Sequence, residues 1–70
     1  MSDTQAKLLR MANDIARNFA ALGDAEAVSA TAEHITMFWD PRMKAAIFGS
    51  DLADLSPIAR AAVESLRAKA

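Results

Sequence analysis

Asp40-Pro41 cuts an otherwise helix-forming chain near its middle. Proline pushes the residue before it out of the α region, so Asp40 ends one helix. The next helix then has proline at its first position and the Asp40 side chain as its cap. Ser56-Pro57 repeats the device further along. Gly23 is a natural left-handed terminator, and Gly49 stops the segment that Pro41 begins. Between these breaks alanine is very common, while glycine and proline number two each. There is no Asn-Gly hairpin signal and no internal repeat. The chain is expected to be all-α, a small bundle of three to four short helices in one domain over residues 1–70.

The first helix is expected from Asp3 or Thr4 to about Leu22. Leu8, Met11, Ala12, Ile15, Phe19 and Leu22 fall on one side at helical spacing, and Lys7, Arg10, Asn13, Asp14 and Arg17 on the other. Arg10 and Asp14 stand four apart and can pair. Asp24 is placed to cap a second helix, Ala25 to about Trp39, with Val28, Ala32, Ile35 and Trp39 inward and Ala25 and Phe38 flanking.

A third helix runs from Pro41 to about Phe48, with Met43, Ala46 and Ile47 inward. Leu52 and Leu55 are expected to tuck a connector onto the core. The fourth helix, from Pro57 to about Ala68, presents Ile58, Ala59, Ala62, Val63 and Leu66 inward, and Arg60 with Glu64 can pair on its wet side.

The corner before Pro41 concentrates the unusual residues. Ala32 to Met43 holds the only Trp, the only His and two of four Met. Met37 points nearly opposite to Val28, with His34 and Phe38 between. The second helix is therefore apolar on two sides at its end. A two- or three-helix unit cannot cover both, and an exposed patch of that kind marks an interface. The blander alternatives are a hydrophobic plug under a helix corner and a single exposed methionine, which is common.

Seventy residues bury only about 60% of their unfolded surface, so such a domain is marginal without a staple. There is no cysteine for a disulfide or a thiolate metal site, and one His makes a zinc site improbable. Eight Lys+Arg against nine Asp+Glu argue against nucleic acid. The opening, Met1 to Gln5, lacks a basic region followed by an apolar run, and no stretch is long and apolar enough to span a membrane. The expected location is cytoplasmic. No nucleophile has an evident base, and there is no phosphate-binding glycine motif, so no catalytic residue is expected. Close helix packing or a partner chain is left as the staple.

The run His34-Ile35 followed by Phe38-Trp39-Asp40-Pro41-Arg42-Met43 resembles the delta subunit of soluble, NAD-dependent, molybdenum-containing formate dehydrogenases. The opening Lys7-Leu8-Leu9-Arg10-Met11-Ala12-Asn13-Asp14-Ile15-Ala16 is similar to that family too, as are Leu55-Ser56-Pro57-Ile58, Ala62-Val63 and Leu66-Arg67. The resemblance spans roughly Lys7 to Arg67, and the hexapeptide is its most specific part.

The resemblance implies a non-catalytic subunit, with no cofactor of its own, that packs on the large (alpha) subunit beside beta and gamma subunits. Those other chains would carry bis-molybdopterin guanine dinucleotide, iron–sulfur clusters, FMN and the NAD site. The whole complex would interconvert formate plus NAD with carbon dioxide plus NADH. The expected contact residues are His34, Met37, Phe38, Trp39, Pro41, Arg42 and Met43. Trp and Arg are favoured interface anchors. The alternative is a transient assembly or cofactor-insertion factor using the same patch. A homodimeric helical regulator that binds nucleic acid fits the near-zero net charge poorly.

Overall fold

The four expected helices form in a computed structural model that describes residues 3–69. Helix α1 spans Asp3–Phe19 and tightens into a 3-10 turn, Ala20–Leu22. Helices α2 (Asp24–Phe38) and α3 (Pro41–Phe48) meet at the proline corner. A second 3-10 turn, Leu52–Asp54, leads to α4 (Pro57–Lys69). No strand occurs among the described residues. Met1 and Ser2, part of the opening read for a leader, lie outside them.

Helix α2 packs along both α1 and α4, and α1 also meets α3 and α4. The bundle extends 34 × 21 × 18 Å. Its two shorter dimensions are about two helix diameters, so every core side chain is one layer from the surface. That core joins Leu8, Ala12 and Ala16 of α1, Ile35 and Trp39 at the end of α2, Ile47 of α3, the connector's Leu52 and Leu55, and Ala59 and Val63 of α4. Helices α1 and α4 contribute apolar residues four positions apart, the spacing that stacks side chains on one face.

Two expected faces are rotated. In α1 the structure buries Leu8, Ala12 and Ala16, while Met11 and Leu22 stand 37% and 51% exposed and Ile15 and Phe19 are half-buried. In α2 it buries Ala27, Thr31 and Ile35, leaving Val28 and Ala32 half-buried and Ala25 exposed. The cause is the same in both. Small side chains let helix axes approach closely, so alanine and threonine occupy the seams and larger residues flank them. The faces of α3 and α4 lie where expected: Ile47, Ala59, Ala62 and Val63 are buried, with Met43, Ala46, Ile58 and Leu66 packed at the edge.

The breaks act by different means. Gly23 adopts φ 94° and ψ 155°, a positive φ but not the left-handed helical ψ expected of it. It also serves as the cap position of α2: Asp24 is already helical, and Ala27 N donates to Gly23 O at 2.8 Å. Ser56 caps α4 as expected, with its Oγ accepting from Ala59 N at 3.3 Å. Asp51 caps the connector's turn by accepting from Ala53 N at 2.9 Å.

The expected side-chain ion pairs are replaced. Asp14 pairs with Arg17 at 3.6 Å rather than with Arg10. Arg60 Nε donates to Leu52 O at 3.3 Å, and Arg67 Nη1 to Phe48 O at 3.4 Å, so α4 grips the connector and the end of α3 through carbonyls. Asn13, expected on the wet side, pins the opposite end: its Nδ2 donates to Asp54 O at 3.1 Å and its Oδ1 accepts from Ser56 N at 2.8 Å. Gln5 Nε2 donates to Ala46 O at 3.2 Å, tying the start of α1 to the end of α3.

One seam residue is costly. Thr31 is fully buried, and its hydroxyl has no hydrogen-bond partner among the described residues. An unmade hydrogen bond at a buried hydroxyl costs about 1–3 kcal/mol. Thr31→Val keeps the shape and removes that penalty. It should raise the melting temperature by several degrees, since about 1 kcal/mol is worth roughly 4–8 °C in a domain of this size. A thermal melt in which this variant is less stable than the parent would mean the hydroxyl is satisfied.

Candidate partner interface

Hydrogen bonds close both helices at the corner between α2 and α3, and one more crosses it. Trp39 N donates to Ile35 O at 3.0 Å and completes the last turn of α2. Trp39 itself is extended, at φ −91° and ψ 135°, and so is Asp40, at φ −77° and ψ 169°. A following proline imposes that conformation on Asp40. The Asp40 Oδ1 then accepts from Met43 N at 2.9 Å and satisfies an orphan donor of α3. Lys44 Nζ reaches back to Thr36 O at 3.0 Å, placing a cation at the negative end of α2. Asp40→Ala should lower stability by about 1 kcal/mol, read from urea denaturation, because the cap is lost. An unchanged midpoint would contradict that role.

The turn divides the aromatic pair. Trp39, four residues after buried Ile35, lies inward, where it is 4% exposed beside the other core residues. Phe38, still helical, points out at 68%, and Met37 stands next to it at 66%. The half-buried His34 ring lies between two phenylalanines. Its centroid is 4.7 Å from Phe38 at an interplanar angle of 42°, and 6.3 Å from Phe19 at 62°. Both are ordinary aromatic packing distances. The stack supports Phe38 from behind, so the ring is exposed without being loose.

Of the seven expected contact residues, Met37, Phe38, Pro41 and Arg42 are exposed on this corner. His34 and Met43 are half-buried at its edge, and Trp39 lies beneath it in the core. Arg42 makes no ion pair with Asp40 among the described residues, because the Asp40 carboxylate is engaged as a cap. Sequence reasoning missed Leu22, which it placed inward although it is half exposed, and Met11. The signal for Leu22 was present: it directly precedes the Gly23 break, where the helix stripe no longer holds.

A groove of about 600 Å³ lies elsewhere, between the end of α1 and the start of α4. Its walls include Ala16, Arg17, Asp24, Asp54 and Ile58, and its amide, Asn13, is committed to the backbone at both ends. Among the described residues no group of three or more His, Asp or Glu converges as a metal site, and no helix is long and apolar enough to cross a membrane.

Comparison with curated proteins and with solved structures gives no match. A family profile does match, over residues 7–63. That span takes in most of α1, both 3-10 turns, α2, the whole proline corner, α3 and half of α4. On that match, which covers most of the chain, the protein belongs to the family of the NADH-dependent formate dehydrogenase delta subunit FdsD.

Proposed function

We propose that this chain is a non-catalytic small subunit of a cytoplasmic NAD-dependent formate dehydrogenase. It stabilises the enzyme by packing on the large molybdenum-containing subunit, within a complex that also holds beta and gamma subunits. The observation that carries this reading is the corner itself. Two large apolar side chains, Met37 and Phe38, stand two-thirds exposed on a turn locked by backbone and side-chain hydrogen bonds. A monomer has no use for holding a phenylalanine rigidly in water, whereas an interface anchor is most effective when its conformation is set in advance. Pro41 and Arg42 extend the contact along the start of α3, and His34 and Met43 line its edge. Trp39 acts from below, by keeping the corner in shape.

In this reading the molybdenum cofactor, iron–sulfur clusters, FMN and NAD belong to the other subunits. The residues here agree: the chain has no cysteine, and its single imidazole is packed between phenylalanine rings. The contribution to turnover of formate plus NAD to carbon dioxide plus NADH is indirect, through the integrity of the assembly.

The test is co-purification of the tagged chain from cells that make the whole complex, followed by a salt wash, gel filtration and native mass spectrometry. A stoichiometric assembly containing the large subunit is the expected result. Loss of the chain from an intact, active enzyme would contradict the subunit role and match a transient assembly factor.

A further inference from the structure

Phe38 is the last helical residue of α2, and Phe19 is the last of α1. Helix ends fray, and an exposed side chain there changes rotamer freely. Phe38 is 68% exposed, yet it is not unsupported. In a helix each side chain leans toward the N-terminus, over the residue four positions earlier. For Phe38 that residue is His34, and the two ring centroids lie 4.7 Å apart at 42°. His34 in turn meets Phe19 of the neighbouring helix, at 6.3 Å and 62°, an edge-to-face approach. The three rings make a row that begins at the end of α1 and finishes at the exposed corner.

Exposure falls along the row. Phe38 stands in solvent, while His34 and Phe19 are half-buried. Helix sterics leave a long side chain two common χ1 wells. Contact with His34 favours the one that lays the Phe38 ring back over α2. Phe19 backs His34 and limits how far the imidazole can turn. Both contacts are made by the faces and edges of rings, so the row uses the flat shape of His34 rather than its nitrogens.

We infer that Phe19 and His34 are positioning residues for docking, which act through Phe38 by holding its ring in the orientation that enters the large subunit. The inference rests on the subunit role proposed above and names the residues that prepare its anchor. Neither residue has to touch the partner. Immobilising a side chain on binding costs affinity, and fixing it beforehand removes that cost. The strength of docking is therefore set in part from α1, away from the contact itself.

The experiment is a double-mutant cycle on the tagged full chain, reading its retention on the whole enzyme. His34→Ala should weaken retention by roughly three- to tenfold, the range expected for one side chain no longer set in advance. His34→Phe keeps a flat ring without the nitrogens and should restore retention to the parent's. Phe19→Leu keeps the bulk without the ring edge and should give a smaller loss. In a Phe38→Ala background, His34→Ala and Phe19→Leu should cost nothing further, because the ring they position is gone. A purely structural role, or direct contact with the partner, would instead lower retention equally in both backgrounds. Losses that add in that way, or a His34→Phe chain as weak as His34→Ala, would overturn the inference while leaving the subunit role standing. A Phe38→Ala chain retained as tightly as the parent would overturn the corner as the contact, and the inference with it.

Discussion

Trp39→Ala should leave the isolated chain largely unfolded at room temperature. Trp39 is 4% exposed and joins Ile35, Ile47 and Val63 in one core. Truncating a buried tryptophan costs about 3–5 kcal/mol, the lost transfer energy plus the cavity left behind. A single core in a domain of this size rarely supplies more than about 3–5 kcal/mol in total. Loss and reserve are therefore comparable, and the helices of a chain this small do not persist without tertiary packing. Far-ultraviolet circular dichroism through a urea titration reads the effect. A variant with the parent's midpoint would place Trp39 outside the core. The variant should also be depleted from purified formate dehydrogenase, but through unfolding, so it says little by itself about the contact surface.

Met37→Glu combined with Phe38→Glu should do the reverse: spare the fold and remove the chain from the enzyme. Both side chains are two-thirds exposed, so the melt of the isolated chain should move little. At the proposed interface the same changes delete an aromatic anchor and place two carboxylates in a contact that excludes water. Truncating a hot spot costs about 2 kcal/mol or more, and an uncompensated buried charge adds several. Affinity should fall by roughly two to three orders of magnitude or beyond. Gel filtration of the complex checks this, together with circular dichroism of the variant. An enzyme that keeps this folded variant at full stoichiometry would show that the corner is not the contact. Read together, the two variants separate the neighbours Phe38 and Trp39: one acts on binding, the other on folding.

What was legible in the sequence is the part dictated by local chemistry. Proline and its capping neighbour act within a few residues, so Asp40-Pro41 and Ser56-Pro57 mark where α3 and α4 begin. The end of α3 before Gly49 and the buried Leu52 and Leu55 follow from equally local signals. Which face of a helix turns inward is not local. A wheel weighted by side-chain bulk favours Met11 and Val28, but the axes close on Ala12, Ala16, Ala27 and Thr31, where the neighbouring helix comes nearest.

The division between Phe38 and Trp39 was legible in part: the wheel places Trp39 inward, four residues after Ile35, and Phe38 on the flank, and the structure buries the first and leaves the second 68% exposed. Asn13 escaped because a polar residue among charged ones looks solvated, until the chain's far end arrives to use both ends of its amide. The family was legible from the hexapeptide at the corner and its flanks, and the matched span of residues 7–63 agrees with that resemblance.

Photo-crosslinking from position 38 inside the assembled enzyme tests the central claim most directly. With a photoreactive phenylalanine replacing Phe38, illumination should join this chain to the large subunit proposed as its partner. The same group at Ala53, exposed on the connector between α3 and α4, should yield no such adduct. An adduct from position 53 with none from position 38 would contradict the account.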